Sequence, residues 1–481
     1  MHAQGPIYPQ RRLSLVGASV AFVDNISLAS LDGIVKAYDV RGTYPDEINA
    51  EVVGAIGTGF AQFIRTVEPD TNSVVVARDM RPSGVELVDA FAESVLEYGF
   101  DVVDIGLAST DLLYYASGAL QMPGVMFTAS HNPAQYNGIK MCRSGAAPIG
   151  EDTGLAQIKQ LGRDPQTAPS GKRGKRREQD LLGAFVQHVR GFVDERSLRP
   201  LKVVADTANG MGGLVVPAVF DGLPFDLEVM YPELDGNFPN HEANPLQVEN
   251  LADLQARVLA TGADIGLAFD GDADRVFLVD EQANPVSGSL TTALLARSIL
   301  RRNPGATVIY NLICSKAVPE VIVEEGGKPA RSRVGHSFIK EQMAVLGAEF
   351  GGEHSAHYYF KDNWRADSGL IAAVLVLEQL SRFDGPLSEL LAPLDRYSAS
   401  GEINTVVDDA ASVIERVAAH FEAIGGVNDR LDGLTVDMGD WWFNLRPSNT
   451  EPLLRLNLEA GDAATVEAKV HEVTTLVEAV R

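Results

Sequence analysis

The sequence predicts an α/β protein: three successive units built on largely parallel, mixed sheets, followed by a smaller C-terminal α+β segment. Three observations carry that expectation. At 481 residues, with 45% apolar and 22% charged content, the chain is too long for one core and ordinary in composition for a globular protein, so about three or four domains are expected. Short β-branched runs alternate with stretches of helical spacing, the pattern of strands joined through helices. Each of three such units also delivers a strand into a polar loop spaced by Gly or Ala, where open α/β sheets place their ligands.

Taken in order, residues 1–30 read as an extension outside the fold. Arg11-Arg12 precedes a modest apolar run, but Gly17, Ser19 and Asp24 make a weak secretory signal. A first domain, 31–178, begins with Ala37-Tyr38-Asp39-Val40-Arg41-Gly42, a short strand or loop bringing an aromatic close to an arginine. Strands over 73–77 and 100–105 flank a helix over 85–98 that carries Leu87, Phe91 and Val95 at helical spacing. A short helix over 112–117 then leads to Val125-Met126-Phe127, the turn at Ser130, and a second apolar strand around Ile139 ending at Lys140. Residues 164–180 turn to Pro, Gly, Ser and a basic cluster (Lys172-Arg173, Lys175-Arg176-Arg177) and read as a solvated linker.

The second domain, 179–283, offers strands over 202–205, 225–230 and 264–269 with helices over 214–220 and 251–259, and ends in Asp270-Gly271-Asp272-Ala273-Asp274-Arg275. The third, 284–396, offers a helix over 290–300, a strand over 307–311 and a helix over 318–325. It continues through a loop over 334–337 and a strand into Glu353-His354-Ser355-Ala356-His357, and closes on a helix over 370–383. After about Tyr397 the final domain, 397–481, offers strands over 403–407, around Thr435 and over 453–458. Helices over 413–421 and 464–480 accompany them, with the loop Arg446-Pro447-Ser448-Asn449-Thr450-Glu451 between strands.

A formal net charge of -25 argues against general nucleic-acid binding and against an anionic membrane surface. An anionic substrate must therefore be caught by a local basic pocket working against that field. Cys142 and Cys314 are too few for a disulfide framework or a zinc site and read as reduced thiols of a cytoplasmic protein. No apolar run approaches the roughly twenty residues a membrane span requires.

The loops carry the chemistry. Asp270, Asp272 and Asp274 alternate, so a turning backbone gathers their oxygens as a hard divalent cation wants them. An EF-hand is excluded: Arg275 stands where its turning glycine belongs, although Glu281 falls at its twelfth position, and strands rather than helices flank the loop. Arg446, Ser448, Asn449 and Thr450 form a compact donor set suited to phosphate, though a Pro447 turn accounts for them locally too. Glu353 and Ser355, two apart, would point the same way on an extended segment, as ligands for sugar hydroxyls, with His354 facing away. A serine, a divalent metal, a phosphate grip and a polyol grip are together what phosphoryl transfer to a sugar needs.

In these motifs and their order the chain resembles the α-D-phosphohexomutases, nearest the phosphomannomutase/phosphoglucomutase group, from about Leu31 to Arg481. The resemblance implies four domains around a central cleft. It implies Ser130 as a phosphoserine, and Mg2+ held by Asp270, Asp272 and Asp274 with the Ser130 phosphate. Glu353 and Ser355 would hold sugar hydroxyls, and Arg446, Ser448, Asn449 and Thr450 the non-reacting phosphate. Tyr38, Arg41, His131, Lys140, Arg275, His336 and His357 would line the cleft, with His357 or Lys140 as general base. The implied reaction interconverts hexose 6-phosphate and hexose 1-phosphate of mannose or glucose. It runs through hexose 1,6-bisphosphate, which is intermediate and activator, in a cytoplasmic monomer or weak homodimer. The alternatives are a phosphoglucosamine mutase, a metal-dependent sugar phosphatase or a sugar-phosphate-binding protein. Ala356 and His354 depart from the group's usual glycine and methionine.

Overall fold

The computed structural model describes residues 28–164, 171–447 and 453–480, with the side chains of 28–30, His336 and Val480 left aside. Among the described residues the strands form four sheets in chain order. The first runs Val40–Thr43, Tyr136–Arg143, Gly124–Phe127, Ser73–Arg78, Asp101–Leu107 and Arg176–Glu178, with Ala147–Pro148 paired to Tyr136–Arg143. The second runs Pro285–Val286, Val276–Asp280, Ile265–Phe269, Leu201–Asp206 and Phe225–Met230. The third runs Lys328–Ser332, Thr307–Asn311, Phe350–Gly352 and Tyr358–Phe360.

All three are parallel in the middle and turn antiparallel at one side, and that side is where the loops lie. Gly124–Phe127 pairs in parallel with Ser73–Arg78 and antiparallel with Tyr136–Arg143. Ile265–Phe269 does the same between Leu201–Asp206 and Val276–Asp280, and Phe350–Gly352 between Thr307–Asn311 and Tyr358–Phe360. The serine, aspartate and Glu353 loops are thus three equivalent hairpin connections at the carboxyl end of a parallel strand. Near-continuous burial along these strands, four of four residues in Gly124–Phe127 and five of five in Ile265–Phe269, reflects helices on both faces.

The last sheet is antiparallel throughout, in the order Ser398–Val406, Leu453–Ala460, Trp441–Pro447, Leu434–Asp437, Val427–Asp429. Helices Ala410–Ala423 and Ala463–Val480 pack on it through a core of its own around Phe421, Phe443, Leu456 and Val473. The second and third domains instead share one continuous core with part of the first. Among the described residues no helix is long and apolar enough to cross a membrane.

Three departures from the sequence expectation stand out. Helix Ala50–Val67 went unread because Gly57 and Gly59 break its pattern with poor helix formers. Both serve close packing: a Cβ on Gly59 would sit 2.2 Å from the Ile158 carbonyl oxygen, and one on Gly57 3.0 Å from that of Phe91. The expected linker over 164–180 ends in strand Arg176–Glu178, which extends the first sheet in parallel with Asp101–Leu107. Arg176 pairs with Asp89 at 2.6 Å and Asp104 at 2.6 Å, so part of the basic cluster answers local carboxylates. The 334–337 stretch, expected as a loop, instead opens helix His336–Leu346.

Candidate active site

Ser130 occupies the left-handed backbone region at φ 49°, a conformation costing a non-glycine residue about 1–2 kcal/mol. Its N–H donates to Thr128 Oγ1 at 2.9 Å, and its hydroxyl donates to Asp270 Oδ2 at 2.7 Å across the domain boundary. The two loops meet closely: a Cβ on Gly271 would lie 2.3 Å from the Ser130 carbonyl oxygen. His131 Nδ1 lies 3.2 Å from Ser130 Oγ and 2.6 Å from Arg275 Nη2. Burial, with the Arg275 and Arg41 cations, holds the His131 imidazole well below its ordinary value.

Asp270, Asp272 and Asp274 are all buried and present ligand oxygens within 4.8 Å of one another. Thr110 Oγ1 donates to Asp272 Oδ2 at 2.6 Å, and Lys140 Nζ bridges Asp272 Oδ2 at 2.7 Å and Asp274 Oδ2 at 2.6 Å. Asp272 Oδ1 and Asp274 Oδ1 are buried without a hydrogen-bond partner among the described residues. Orphaned carboxylate oxygens are costly in a protein interior, and a hard cation satisfies them, so the residues fit a divalent metal. Burial and the Asp272 charge push Asp274 up to about 7, against the opposing charge of Lys140. Arg275 donates from Nε to Asp270 Oδ2 at 2.9 Å, and its Nη2 stands 3.4 Å from Ser130 Oγ. Lys140 is also buried, which disfavours charge, but the Asp272 and Asp274 carboxylates outweigh burial and hold the ammonium well above its usual value.

The third loop is a turn rather than an extended segment. Ala356 N–H donates to the Glu353 carbonyl at 3.0 Å, and Ala356 adopts a left-handed φ of 64°, where glycine carries no steric penalty. Glu353 and Ser355 still meet, at His357. Ser355 Oγ lies 3.1 Å and Glu353 Oε1 3.8 Å from His357 Nδ1, while Nε2 is 3.8 Å from Asp274 Oδ1. Glu353 is otherwise enclosed, accepting from the Tyr359 hydroxyl at 2.5 Å, Asn311 Nδ2 at 3.1 Å and Gly335 N–H at 3.3 Å. Burial lowers His357 to about 4, so its imidazole is neutral at neutral pH. His354 faces away, with Nδ1 3.0 Å from Ser289 Oγ.

The remaining candidates are spread around this centre. Arg41 donates to Asn132 Oδ1 at 2.6 Å and so joins the serine turn. The Tyr38 hydroxyl donates to the Val334 carbonyl at 3.2 Å, tying the first domain to the third. Burial raises its pKa, followed by the charges of Asp432 and Glu353, while Arg333 and Arg446 oppose them. Arg446 lies 3.3 Å from Glu402 Oε2 within the last domain. His336 begins its helix with a side chain outside the description, and Ser448, Asn449 and Thr450 lie outside the described residues.

The sequence reading passed over Arg81, Asp79 and Thr110. Asp79-Met80-Arg81 directly follows strand Ser73–Arg78, the same strand-end position that flagged the other loops. Arg81 is 1% exposed and donates to the Ser130 carbonyl at 3.0 Å.

Comparison with known proteins identifies the family. Family models described as phosphoglucomutase/phosphomannomutase alpha/beta/alpha domains I, II and III match residues 32–166, 183–284 and 287–397, and the C-terminal domain of that family matches 402–476. A phosphomannomutase of Escherichia coli K12 is 40% identical over 452 residues, covering 92% of this chain and 98% of the relative. The phosphohexose mutases of Xanthomonas campestris pv. campestris are 39% identical over 445 residues, with the same coverage. A crystal structure of a phosphoglucomutase/phosphomannomutase family protein from Burkholderia thailandensis superposes with a TM-score of 0.85 at 33% identity, covering 94% of this chain and 98% of the other. Four domains with this chain order, a strand-end serine facing an aspartate triad, and relatives of this kind define an α-D-phosphohexomutase. The chain belongs to the phosphoglucomutase/phosphomannomutase family.

Proposed function

We propose that the chain interconverts hexose 6-phosphate and hexose 1-phosphate, of mannose or glucose, with Ser130 as phosphate carrier. The observation that carries the reading is the 2.7 Å contact of Ser130 Oγ with Asp270, beside two buried carboxylate oxygens that lack partners among the described residues. Asp270, Asp272 and Asp274 would hold Mg2+ together with the Ser130 phosphate; when bound, the ion neutralises the oxygens of the phosphate in transit. A free sugar hydroxyl attacks the phosphorus of phospho-Ser130, the P–Oγ bond breaks, and hexose 1,6-bisphosphate forms. Arg275 Nη2, 3.4 Å from Oγ, stabilises charge on the departing oxygen. The bisphosphate turns over, and Ser130 Oγ takes the other phosphate.

His357 takes the proton of the attacking hydroxyl. Its side chain is 21% exposed, and Ser355 beside Nδ1 leaves Nε2 as the accepting nitrogen. Lys140, fixed as an ammonium between two carboxylates, neutralises charge rather than taking protons. Glu353 and Ser355 hold sugar hydroxyls, with Tyr38, Arg41, His131 and His336 around them. Arg446, Ser448, Asn449 and Thr450 grip whichever phosphate is not reacting. Two buried free cysteines suit the cytoplasm, where the chain would act as a monomer or weak homodimer.

The test is turnover of hexose 1-phosphate with trace bisphosphate and Mg2+, followed both as isomerised product and as released phosphate. Isomerisation that vanishes in Ser130→Ala supports the reading. Stoichiometric phosphate release would make the protein a phosphatase, and full activity in Ser130→Ala would overturn the carrier role. Parallel kcat/KM values for mannose, glucose and glucosamine phosphates assign the preferred sugar.

A further inference from the structure

Arg81 belongs to none of the metal-holding, proton-transferring or sugar-binding groups above, yet it is among the largest fully enclosed side chains of the protein. Burying a guanidinium is costly unless its charge is paired and its donors are met. Asp79 answers the charge: Oδ2 lies 3.2 Å from Arg81 Nε, and Oδ1 accepts the Arg81 backbone N–H at 2.9 Å. The other side-chain donors all go to one short stretch of backbone. Nη1 donates to the carbonyls of Pro133 at 2.8 Å and Tyr136 at 2.9 Å, and Nη2 to those of Ser130 at 3.0 Å and Asn132 at 2.6 Å.

One planar cation therefore gathers four carbonyls of the turn that presents Ser130. Residue 130 needs such a hold, because its left-handed φ of 49° is a conformation that serine adopts reluctantly. With its carbonyl on Arg81 and its N–H on Thr128 Oγ1, both backbone groups are fixed and Oγ is left facing Asp270. The next domain closes over the other side of Arg81. The Phe238 ring centre lies 5.2 Å from the guanidinium carbon, and a Cβ on Gly236 would come within 2.7 Å of Arg81 Cα. The same residue thus touches the serine turn and the domain that carries the aspartates.

We propose that Arg81 is a positioning residue for phosphoryl transfer: by holding four carbonyls of the 130–136 turn, it keeps Ser130 Oγ at transfer distance from the aspartate triad. The inference rests on the reading of Ser130 as phosphate carrier. Arg81 touches no reacting atom and acts through the turn. Lysine in its place keeps the charge beside Asp79, but an ammonium lacks the rigid five-donor fork that spans the turn.

The test uses the full chain as Arg81→Lys, Arg81→Ala and Ser130→Ala, assayed for hexose 1-phosphate isomerisation with Mg2+ and trace bisphosphate, with thermal melts on the same samples. Arg81→Lys is expected to melt cooperatively and to lose on the order of 100-fold in kcat, the effect of misplacing a reacting atom by about 1 Å. Its KM should stay within about twofold, because sugar contacts are untouched. Added guanidinium ion should restore part of kcat to Arg81→Ala and none to Ser130→Ala. A folded Arg81→Lys with wild-type kcat overturns the proposal, as does a loss that merely tracks the unfolded fraction and ignores guanidinium. If Arg81→Ala fails to fold, the kcat and KM of Arg81→Lys decide alone. Full turnover by Ser130→Ala would instead remove the carrier reading, whatever the Arg81 variants do.

Discussion

Gly271→Ala is the smallest change that separates the two halves of the site. The new Cβ would stand 2.3 Å from the Ser130 carbonyl oxygen, with the Ala243 methyl 3.5 Å away on another side. Gly271 lies outside the left-handed backbone region, so space alone is at issue. Non-bonded carbon contacts are comfortable near about 3.5 Å, so the serine and aspartate loops must part by roughly 1 Å. The Ser130–Asp270 hydrogen bond, now 2.7 Å, is then stretched past its useful range. Overpacking of this kind costs about 1–3 kcal/mol, which a chain with cores of this extent survives folded. Misplacement by about 1 Å should lower kcat/KM on the order of 100-fold, equivalent to about 2.7 kcal/mol of transition-state stabilisation. Steady-state isomerisation at saturating Mg2+, with a thermal melt as control, measures both effects. A folded Gly271→Ala enzyme within about threefold of wild type would refute the claim that the loop contact sets transfer geometry.

Other perturbations probe separate parts of the account. Lys140→Met leaves two buried carboxylates facing each other and should cost the metal-free protein about 3–5 kcal/mol, so Mg2+ should raise its melting temperature more than that of wild type; equal increments would contradict the pairing. His357→Gln should lower kcat by about 100-fold or more with cooperative melting intact, and unchanged kcat would move the base elsewhere. Ala356→Gly trades a left-handed alanine penalty of about 1–2 kcal/mol against about 0.5–1 kcal/mol of added chain entropy and about 0.8 kcal/mol for its fully buried methyl, so urea titration should find the two proteins within about 1 kcal/mol, and a larger loss would contradict the strain at 356. His241, whose Nε2 lies 3.0 Å from Asp206 Oδ2, is lowered by burial but raised further by that carboxylate, for a net rise. The pair's stabilisation is complete below the ordinary imidazole pKa and fades as pH climbs through the raised one. The melting difference between wild type and His241→Asn should therefore shrink from acid to alkaline pH, and a growing difference would reverse the assignment.

What was legible in the sequence was whatever depends on local pattern. The three aspartates announce their chemistry because alternate carboxylates after an apolar strand have few other uses, and Ser130 declares a turn through its own neighbours. What was not legible depends on partners far away in the chain. Nothing near Arg81 reveals that its fork will close on carbonyls about fifty residues on, because that grip exists only once two strands are paired. Glu353 and Ser355 were read as neighbours on an extended segment, but a left-handed residue at 356 folds the segment into a turn and brings both to His357 by a different route. Helix Ala50–Val67 was hidden by the glycines that let it press against its neighbours, where tertiary packing overrides propensity. Strand Arg176–Glu178 carries no apolar alternation, being exposed along its length and held to the sheet edge by backbone pairing and arginine–carboxylate contacts.

The central claim is that Ser130 carries the phosphate between sugars, and peptide mass mapping of the purified enzyme tests it most directly. The account predicts a phosphate on the peptide containing Ser130. A metal-free pulse of sugar should leave it in place, and a pulse with Mg2+ and hexose 1-phosphate should exchange it at the rate of turnover. Isomerisation at full rate with that peptide never phosphorylated, or phosphorylated without exchange, would contradict it.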